Sequence, residues 1–403
     1  MTKTVPMIRT LQHLGATRED ITAFIKKAKT KKQSPKSDVC KNFDNTKLKP
    51  VLPDDAPIAV VLFAGGGGIE AGMVQAGIRP VIAVEFDPTK PDLSRAIALN
   101  HHRNFSEYGC RIIQLTVQEV ARLGFLGFPD RPDYLHASPV CANFSQAHTA
   151  KAGIALETAD DLSAAIAVAE AIRQLQPRVF TLENVPRYQN SQSFSIILDA
   201  LEQEGYSVNY SVVNMADFGL PQARRRLVLI ASKGFHIALP TGAKSCGWYE
   251  AFTKCAEGIA HLIPSMTDSQ LLPKQRQAVE QFLIANEPAP LLIQRVGERT
   301  ESKYKPAHLP CNTILRCLRR AAPTHFTDHK GCNRSKFADI WLPDGTVKSL
   351  SIEGAAILQG FPSWYEFPNE TATAGSIIGY SVPPSFAAQL FTHIQKQLSG
   401  GFL

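Results

Sequence analysis

Residues 58–87, IAVVLFAGGGGIEAGMVQAGIRPVIAVEFD, run through an apolar stretch, a glycine turn, a helical pattern and a second apolar stretch. That order is a βαβ unit, which commits two strands to lie parallel in one sheet. Gly65 to Gly68 let the backbone approach a ligand closely, and a helix beginning near Ile69 turns free N–H groups toward the same place. Glu85, at the end of the second run, is positioned to accept hydrogen bonds from two ribose hydroxyls.

Outward from this unit the alternation continues. RIIQLT (111–116), PDYLHAS (132–138) and PRVFTLENVPRY (177–188) read as strands, while LSAAIAVAEAIRQL (162–175) and SFSIILDALEQEG (193–205) carry the helical period. YSVVNMADFGLPQARRRLVLIAS (210–232) reads as strand, loop and strand. The expected fold class is therefore α/β: a doubly wound, mostly parallel, Rossmann-like sheet with a second, smaller irregular domain. The expected divisions are a basic N-terminal helix and linker at 1–50, a catalytic cofactor-binding domain at 51–235 and a recognition domain at 236–348. A C-terminal segment, 349–403, returns to the catalytic domain. In the first segment, Thr17 to Ala28 reads as a short capped helix.

The chain has 403 residues, 44% of them hydrophobic, enough for such a core. Its net charge of +7 is unevenly placed: residues 1–50 hold 12 Lys/Arg against 4 Asp/Glu, so the body is close to neutral. A nucleic-acid surface in the body must then be a local patch, and residues 299–336, with nine Lys/Arg and two acids, provide one. Eight scattered cysteines without paired spacing suit a reducing, cytoplasmic setting, at the nucleoid if the source is prokaryotic. No apolar run approaches a membrane span. Cys311, Cys317, His325, His329 and Cys332 lie close together but contain no CxxC pair, so no metal is expected.

The chemistry concentrates at ASPVCANFSQAH, residues 137–148. Cys141 follows a buried strand, at the strand end where α/β sheets present reactive groups. A thiolate there needs partial exposure and polar neighbours to attack. Glu183 stands directly after the apolar VFTL, a desolvated carboxyl suited to holding a ring nitrogen. Gln222, Arg224 and Arg226 alternate ahead of another buried strand, which turns all three the same way. Glycine loops like Gly65–Gly68 serve dinucleotide enzymes and S-adenosylmethionine methyltransferases alike; GGGG in place of GxGxxG favours the second.

Taken in order, these stretches resemble the DNA cytosine-5 methyltransferase family. FAGGGG (63–68) resembles its FxGxGG cofactor loop, SPVCANFS its PPC-Q-x-FS nucleophile loop, and ENV (183–185) and QARRR (222–226) its ENV and QxRxR motifs. LPCNTI (309–314), LQGFP (358–362) and GYSVPP (379–384) resemble later motifs, the last of them GNxVPP. The resemblance implies methyl transfer from S-adenosylmethionine to carbon 5 of cytosine in a specific duplex DNA sequence. The target base is flipped out, and Cys141 adds covalently to carbon 6. Glu183 would hold ring nitrogen 3 and the exocyclic amine, and Arg226 the ring carbonyl. Arg224 and Ser145 would hold the displaced backbone or the nucleophile loop, Arg224 counting with the catalytic set. Cofactor contacts fall to Phe63, Ala64, Gly65, Gly67, Gly68, Glu85, Phe86, Pro139, Ser381 and Val382, with Gln114 or Thr116 replacing a missing Asp. Nucleic-acid contacts fall to Asn143, Ser145, Gln222, Arg299, Arg316, Arg319 and Arg320. The implied partners are duplex DNA and a cognate restriction endonuclease, the implied state is a monomer, and no membrane is involved.

The departures are Ala142 for the usual Gln, Val140 for the second proline, Tyr380 for an Asn, and ADDLS (159–163) without an expected arginine. They motivate two rivals: a tRNA cytosine-5 methyltransferase, although the CFT motif of that branch is absent, and a catalytically weak DNA-binding homologue. A dinucleotide oxidoreductase leaves ENV and QARRR unexplained.

Overall fold

The computed structural model describes residues 48–140, 144, 157–242, 245–254, 262–265, 291–294, 303–314, 338–341, 347–350 and 352–400. The expected N-terminal helix, Thr17 to Ala28, lies outside the described residues.

Seven strands form the main sheet. They are β1 (Ile58–Leu62), β2 (Arg79–Val84), β3 (Arg111–Ile113), β4 (Tyr134–Ala137), β5 (Val179–Asn184), β6 (Tyr206–Asn214) and β8 (Arg225–Lys233), in the order β3-β2-β1-β4-β5-β8-β6. β3, β2, β1, β4 and β5 pair in parallel, whereas β8 runs against both β5 and β6. The order reverses at β1. Chain growth moves outward through β2 and β3 and then resumes on the other side with β4, which opens a crevice between the carboxyl ends of β1 and β4.

The strands are apolar on both faces because helices cover both. Ala59 and Val61 of β1 join the core under α1 (Gly68–Gln75), α2 (Pro91–Phe105) and α9 (Pro384–Gly400). Val60 and Leu62 join the opposite core, under α3 (Val117–Arg122), α4 (Ala159–Leu175) and α5 (Gln192–Gln203). This period of two recurs in β8, where Val228 and Ile230 share the first core and Leu227 and Leu229 the second. After α6 (Trp248–Lys254), the C-terminal segment closes on the first face through α7 (Ile352–Gln359), α8 (Thr371–Tyr380) and α9. α8 was not foreseen, since GYSVPP reads locally as loop; Gly379 and Tyr380 instead end a helix capped by the Glu370 carboxylate, which accepts from the Ala372 and Thr373 amides.

The segment expected to be irregular contains a five-stranded antiparallel sheet. β9 (Leu262–Ser265), β10 (Leu291–Gln294), β11 (Lys303–Pro306), β13 (Ala338–Trp341) and β14 (Val347–Leu350) lie in the order β11-β10-β13-β14-β9, with Leu292, Ile340 and Leu350 buried. β14 continues to Leu350, past the expected division at 348. A short parallel pair joins this region to the segment just ahead of β8: Cys311 and Asn312 (β12) align with Gln222 and Ala223 (β7).

Candidate active site

Register brings the functional loops together. Leu62 pairs with Ala137 and Ala137 with Leu182, so the glycine loop, the segment 138–140 and Glu183 leave adjacent strands at one edge. Neighbouring strands are about 4.8 Å apart, which places these groups within reach of one small ligand. Because β8 is antiparallel, its beginning lies at that same edge, and Arg226 arrives beside Glu183.

The glycine loop is built to approach a ligand. Phe63 enters it with φ 59°, a left-handed conformation that costs a non-glycine residue roughly 1–2 kcal/mol. Ala64 N–H donates to the Val84 carbonyl (3.0 Å), prolonging the β1–β2 ladder into the turn. Gly67 has φ 89°, and a Cβ there would lie 2.2 Å from the Phe105 ring; at Gly68 it would lie 2.5 Å from the Val382 carbonyl oxygen. At Gly65, by contrast, a Cβ would meet nothing within 4 Å. The loop is thus backed by Phe105, Ser381 and Val382 and open at Gly65.

Glu85 borders the open side. Its Oε2 accepts from the Gly65 amide (2.9 Å) and its Oε1 from Ser94 Oγ (3.3 Å), leaving lone pairs for ribose hydroxyls. Burial raises the Glu85 pKa above the ordinary value near 4.5, against the opposing pull of those two hydrogen bonds. Phe86, next in the chain, is half-buried. The open cradle and a carboxylate with acceptor capacity fit the ribose and amino-acid ends of S-adenosylmethionine.

The two substitutes for the missing Asp separate. Thr116 caps α3: its Oγ1 accepts from the Glu119 amide (3.1 Å), and the Glu119 carboxylate accepts from the Thr116 amide and hydroxyl (2.8 Å each). Its hydroxyl is spent on the helix, so its place in the cofactor set is corrected to that of a cap. Gln114 is exposed, one residue beyond β3.

Glu183 Oε1 lies 2.9 Å from Arg226 Nε, with side chains 11% and 15% exposed. This is an ion pair without hydrogen-bond alignment, so Glu183 Oε1 keeps unused acceptor capacity. Next to it, Asn184 Nδ2 donates to the Pro139 carbonyl (3.0 Å), tying β5 to the stem of the Cys141 loop. Pro139 is buried and Val140 is exposed. Phe144, further along that loop, packs edge-on against Tyr188 at 5.1 Å. Cys141, Asn143, Ser145, Arg299, Arg316, Arg319 and Arg320 lie outside the described residues.

Two expectations change. Gln222 was expected at nucleic acid but is fully buried. Its Nε2 donates to the Leu358 carbonyl (3.2 Å) and Gln359 Oε1 (2.7 Å), and its Oε1 accepts from the Ile314 amide (3.0 Å). Arg224 was expected at the DNA backbone or the nucleophile loop. It is 2% exposed and donates to the Ser381 carbonyl (3.0 Å), holding the loop that backs Gly68. Both are fasteners between distant segments: Gln222 ties β7 to α7 and to Ile314, and Arg224 ties the start of β8 to the segment after α8.

Sequence reading passed over Tyr365. Its hydroxyl donates to the Gly66 carbonyl and accepts from Asn100 Nδ2 (3.1 Å), and Asn100 and Asn104 both donate to the Glu366 carbonyl. The C-terminal aromatic turn therefore buttresses the glycine loop. Behind it, Glu70 and His101 form a fully buried pair at 3.0 Å.

A parallel sheet reversing at β1, a glycine cradle with an acidic neighbour and a polar edge along β4, β5 and β8 define an S-adenosylmethionine-dependent methyltransferase. A family model described as C-5 cytosine-specific DNA methylase matches residues 59–396, and the chain belongs to that family. It is similar to the Type II methyltransferase M.XorII of Xanthomonas oryzae pv. oryzae, 27% identical over 384 residues, covering 85% of each chain. M.AplI of Arthrospira platensis is 26% identical over 351 residues, covering 85% of this chain and 86% of its own. The fold is shared with the S. pombe Dnmt2 methyltransferase, at a TM-score of 0.53 and 13% identity over 85% of this chain and 99% of that one. The protein is a DNA (cytosine-5-)-methyltransferase using S-adenosylmethionine. Among the described residues no helix is long and apolar enough to cross a membrane.

Proposed function

We propose that the protein methylates cytosine within one short duplex sequence, by flipping the base and adding Cys141 to it, as the modification half of a Type II restriction system. The observation that carries this is the Glu183–Arg226 pair, set one strand from the Cys141 loop on the cofactor edge. Carbon 5 of cytosine is a poor nucleophile. Addition of the Cys141 thiolate to carbon 6 makes it an enamine; nitrogen 3 takes a proton from the Glu183 carboxyl as the electron pair arrives, and Arg226 meets the charge at the ring carbonyl. S-adenosylmethionine supplies the methyl group; loss of the carbon 5 proton and release of Cys141 then restore the ring. Gly65 to Gly68 and Glu85 hold the donor, Asn184 steadies the loop stem, and Gln114 serves the adenine side.

A stacked base cannot reach this edge, so the target nucleotide must leave the duplex. Target bases are read from residues 236–348, whose arginines Arg299, Arg316, Arg319 and Arg320, with Asn143 and Ser145 of the nucleophile loop, contact DNA. The relatives M.XorII and M.AplI, both Type II methyltransferases, support a cognate endonuclease. We place the enzyme in the cytoplasm as a monomer, at the nucleoid in a prokaryote.

Bisulfite sequencing of DNA from cells expressing the protein, beside cells expressing Cys141→Ser, tests the reading. Protected cytosines in one short context that vanish in the variant are expected; protection that persists in the variant, or none with either, would overturn it.

A further inference from the structure

His136 lies inside the sheet on β4, 1% exposed, with its side chain on the same face as Tyr134. An imidazole is costly there unless both ring nitrogens are bonded. Both are. Nδ1 is 2.9 Å from Thr181 Oγ1 and Nε2 is 2.8 Å from Ser138 Oγ. Thr181 is the register partner of His136 on β5, two residues before Glu183. Ser138 begins the stem that leads, three residues later, to Cys141.

Burial pulls the His136 pKa down to about 3, so the ring is neutral under working conditions. A neutral imidazole has one donor and one acceptor, which gives the chain of three groups a direction: one hydroxyl must accept from the ring and the other must donate to it. The reaction as proposed leaves this cluster unused. An apolar side chain would fill the position without requiring two matched hydroxyls, one of them on the half-exposed stem of a catalytic loop.

We propose that Thr181, His136 and Ser138 form a positioning device for the nucleophile loop. It couples the stem at Ser138 to the strand that carries Glu183, so that the chain leaves the sheet toward Cys141 at a set distance from the groups that hold the base. The Asn184 bond to the Pro139 carbonyl is a second tie between the same strand and stem. His136 touches neither cofactor nor base. This inference rests on the reading of Cys141 as nucleophile.

The test uses the full-length protein, S-adenosylmethionine and a long unmethylated DNA carrying 5-fluorocytosine in place of cytosine, which arrests the covalent adduct. Misplacing a reacting group by about 1 Å can cost about 100-fold. His136→Leu is therefore expected to slow adduct formation roughly 10- to 100-fold while cofactor affinity by calorimetry stays within about twofold. His136→Gln, which retains a donor and an acceptor, should recover part of the rate. Ser138→Ala should slow trapping alone, and should add little in the His136→Leu background, the signature of a shared pathway. Should His136→Leu not fold, Ser138→Ala and Thr181→Val carry the test. Variants that trap at the wild-type rate, or whose losses follow cofactor affinity or melting temperature, would overturn the device. A wild-type protein that forms no adduct would instead overturn Cys141 as nucleophile.

Discussion

Glu183 and Arg226 meet diagonally across two antiparallel strands: Glu183 is in register with Val228, and Arg226 lies two residues earlier on the same face, its Nε 2.9 Å from Oε1. Each charge keeps the other in place in a largely dry corner. Removing one leaves a buried charge unpaired. Arg226→Ala and Glu183→Gln are each expected to lower kcat by about 100- to 1000-fold, with cofactor affinity nearly unchanged. Single-turnover methylation with saturating DNA measures this. A loss confined to DNA binding would remove the pair from the chemistry.

Glu85 yields a prediction in pH with two opposite signs. Its carboxyl is raised above the ordinary 4.5, chiefly by burial. Cofactor affinity should fall as pH drops through this raised value, because the protonated group gives up an acceptor. Stability of the free protein has the other sign, since a folded state with a raised carboxyl pKa binds the proton more tightly and gains from acidification. Calorimetric titration and thermal melts from pH 7 down to the ordinary carboxyl value of 4.5, compared with Glu85→Gln, isolate the contribution. The variant should bind cofactor more weakly and lose both dependences; unaltered profiles would rule Glu85 out.

Thr116 and Gln114 can be told apart by where each loss appears. Thr116→Val removes a capping hydroxyl from α3 and should cost about 1 kcal/mol of stability with little change in cofactor affinity. Gln114→Ala should leave stability intact and raise the KM for S-adenosylmethionine several-fold. Melting temperatures and initial rates for the two variants suffice, and the reverse pattern would return Thr116 to the cofactor set.

What could be read from the chain follows the range of the interactions. β1, β2, β4 and β5 are announced by local apolar runs, and their order follows from βαβ handedness, so the edge carrying Gly65, Glu85 and Glu183 was legible. The cap at Thr116 is also written locally, as Thr-x-x-Glu, a pattern that by itself assigns the hydroxyl to the helix and not to a ligand. Gln222 and Arg224 share a face, as their spacing indicates, but that face is turned into the protein and not toward nucleic acid. Their partners, Gln359 and Ser381, are more than a hundred residues away, and no local pattern names them. The antiparallel sheet of 262–350 is built from four-residue strands, too short for a period to stand out between prolines.

Tyr365 is the long-range contact with the most direct consequence for the cofactor. Its hydroxyl links Asn100 to the carbonyl of Gly66, and its buried ring packs against Phe105, Phe361 and Phe367. Tyr365→Phe keeps the ring and removes the link, leaving the Gly66 carbonyl without that donor while Asn100 retains the Glu366 carbonyl. Losing one partner of a buried pair costs about 1–3 kcal/mol. Part of that should appear as lowered stability and part as a cofactor KM raised about tenfold, with the rate of adduct formation at saturating cofactor unchanged. That division separates the cradle from the nucleophile edge. A variant that traps DNA more slowly at saturating cofactor would show that Tyr365 acts on both.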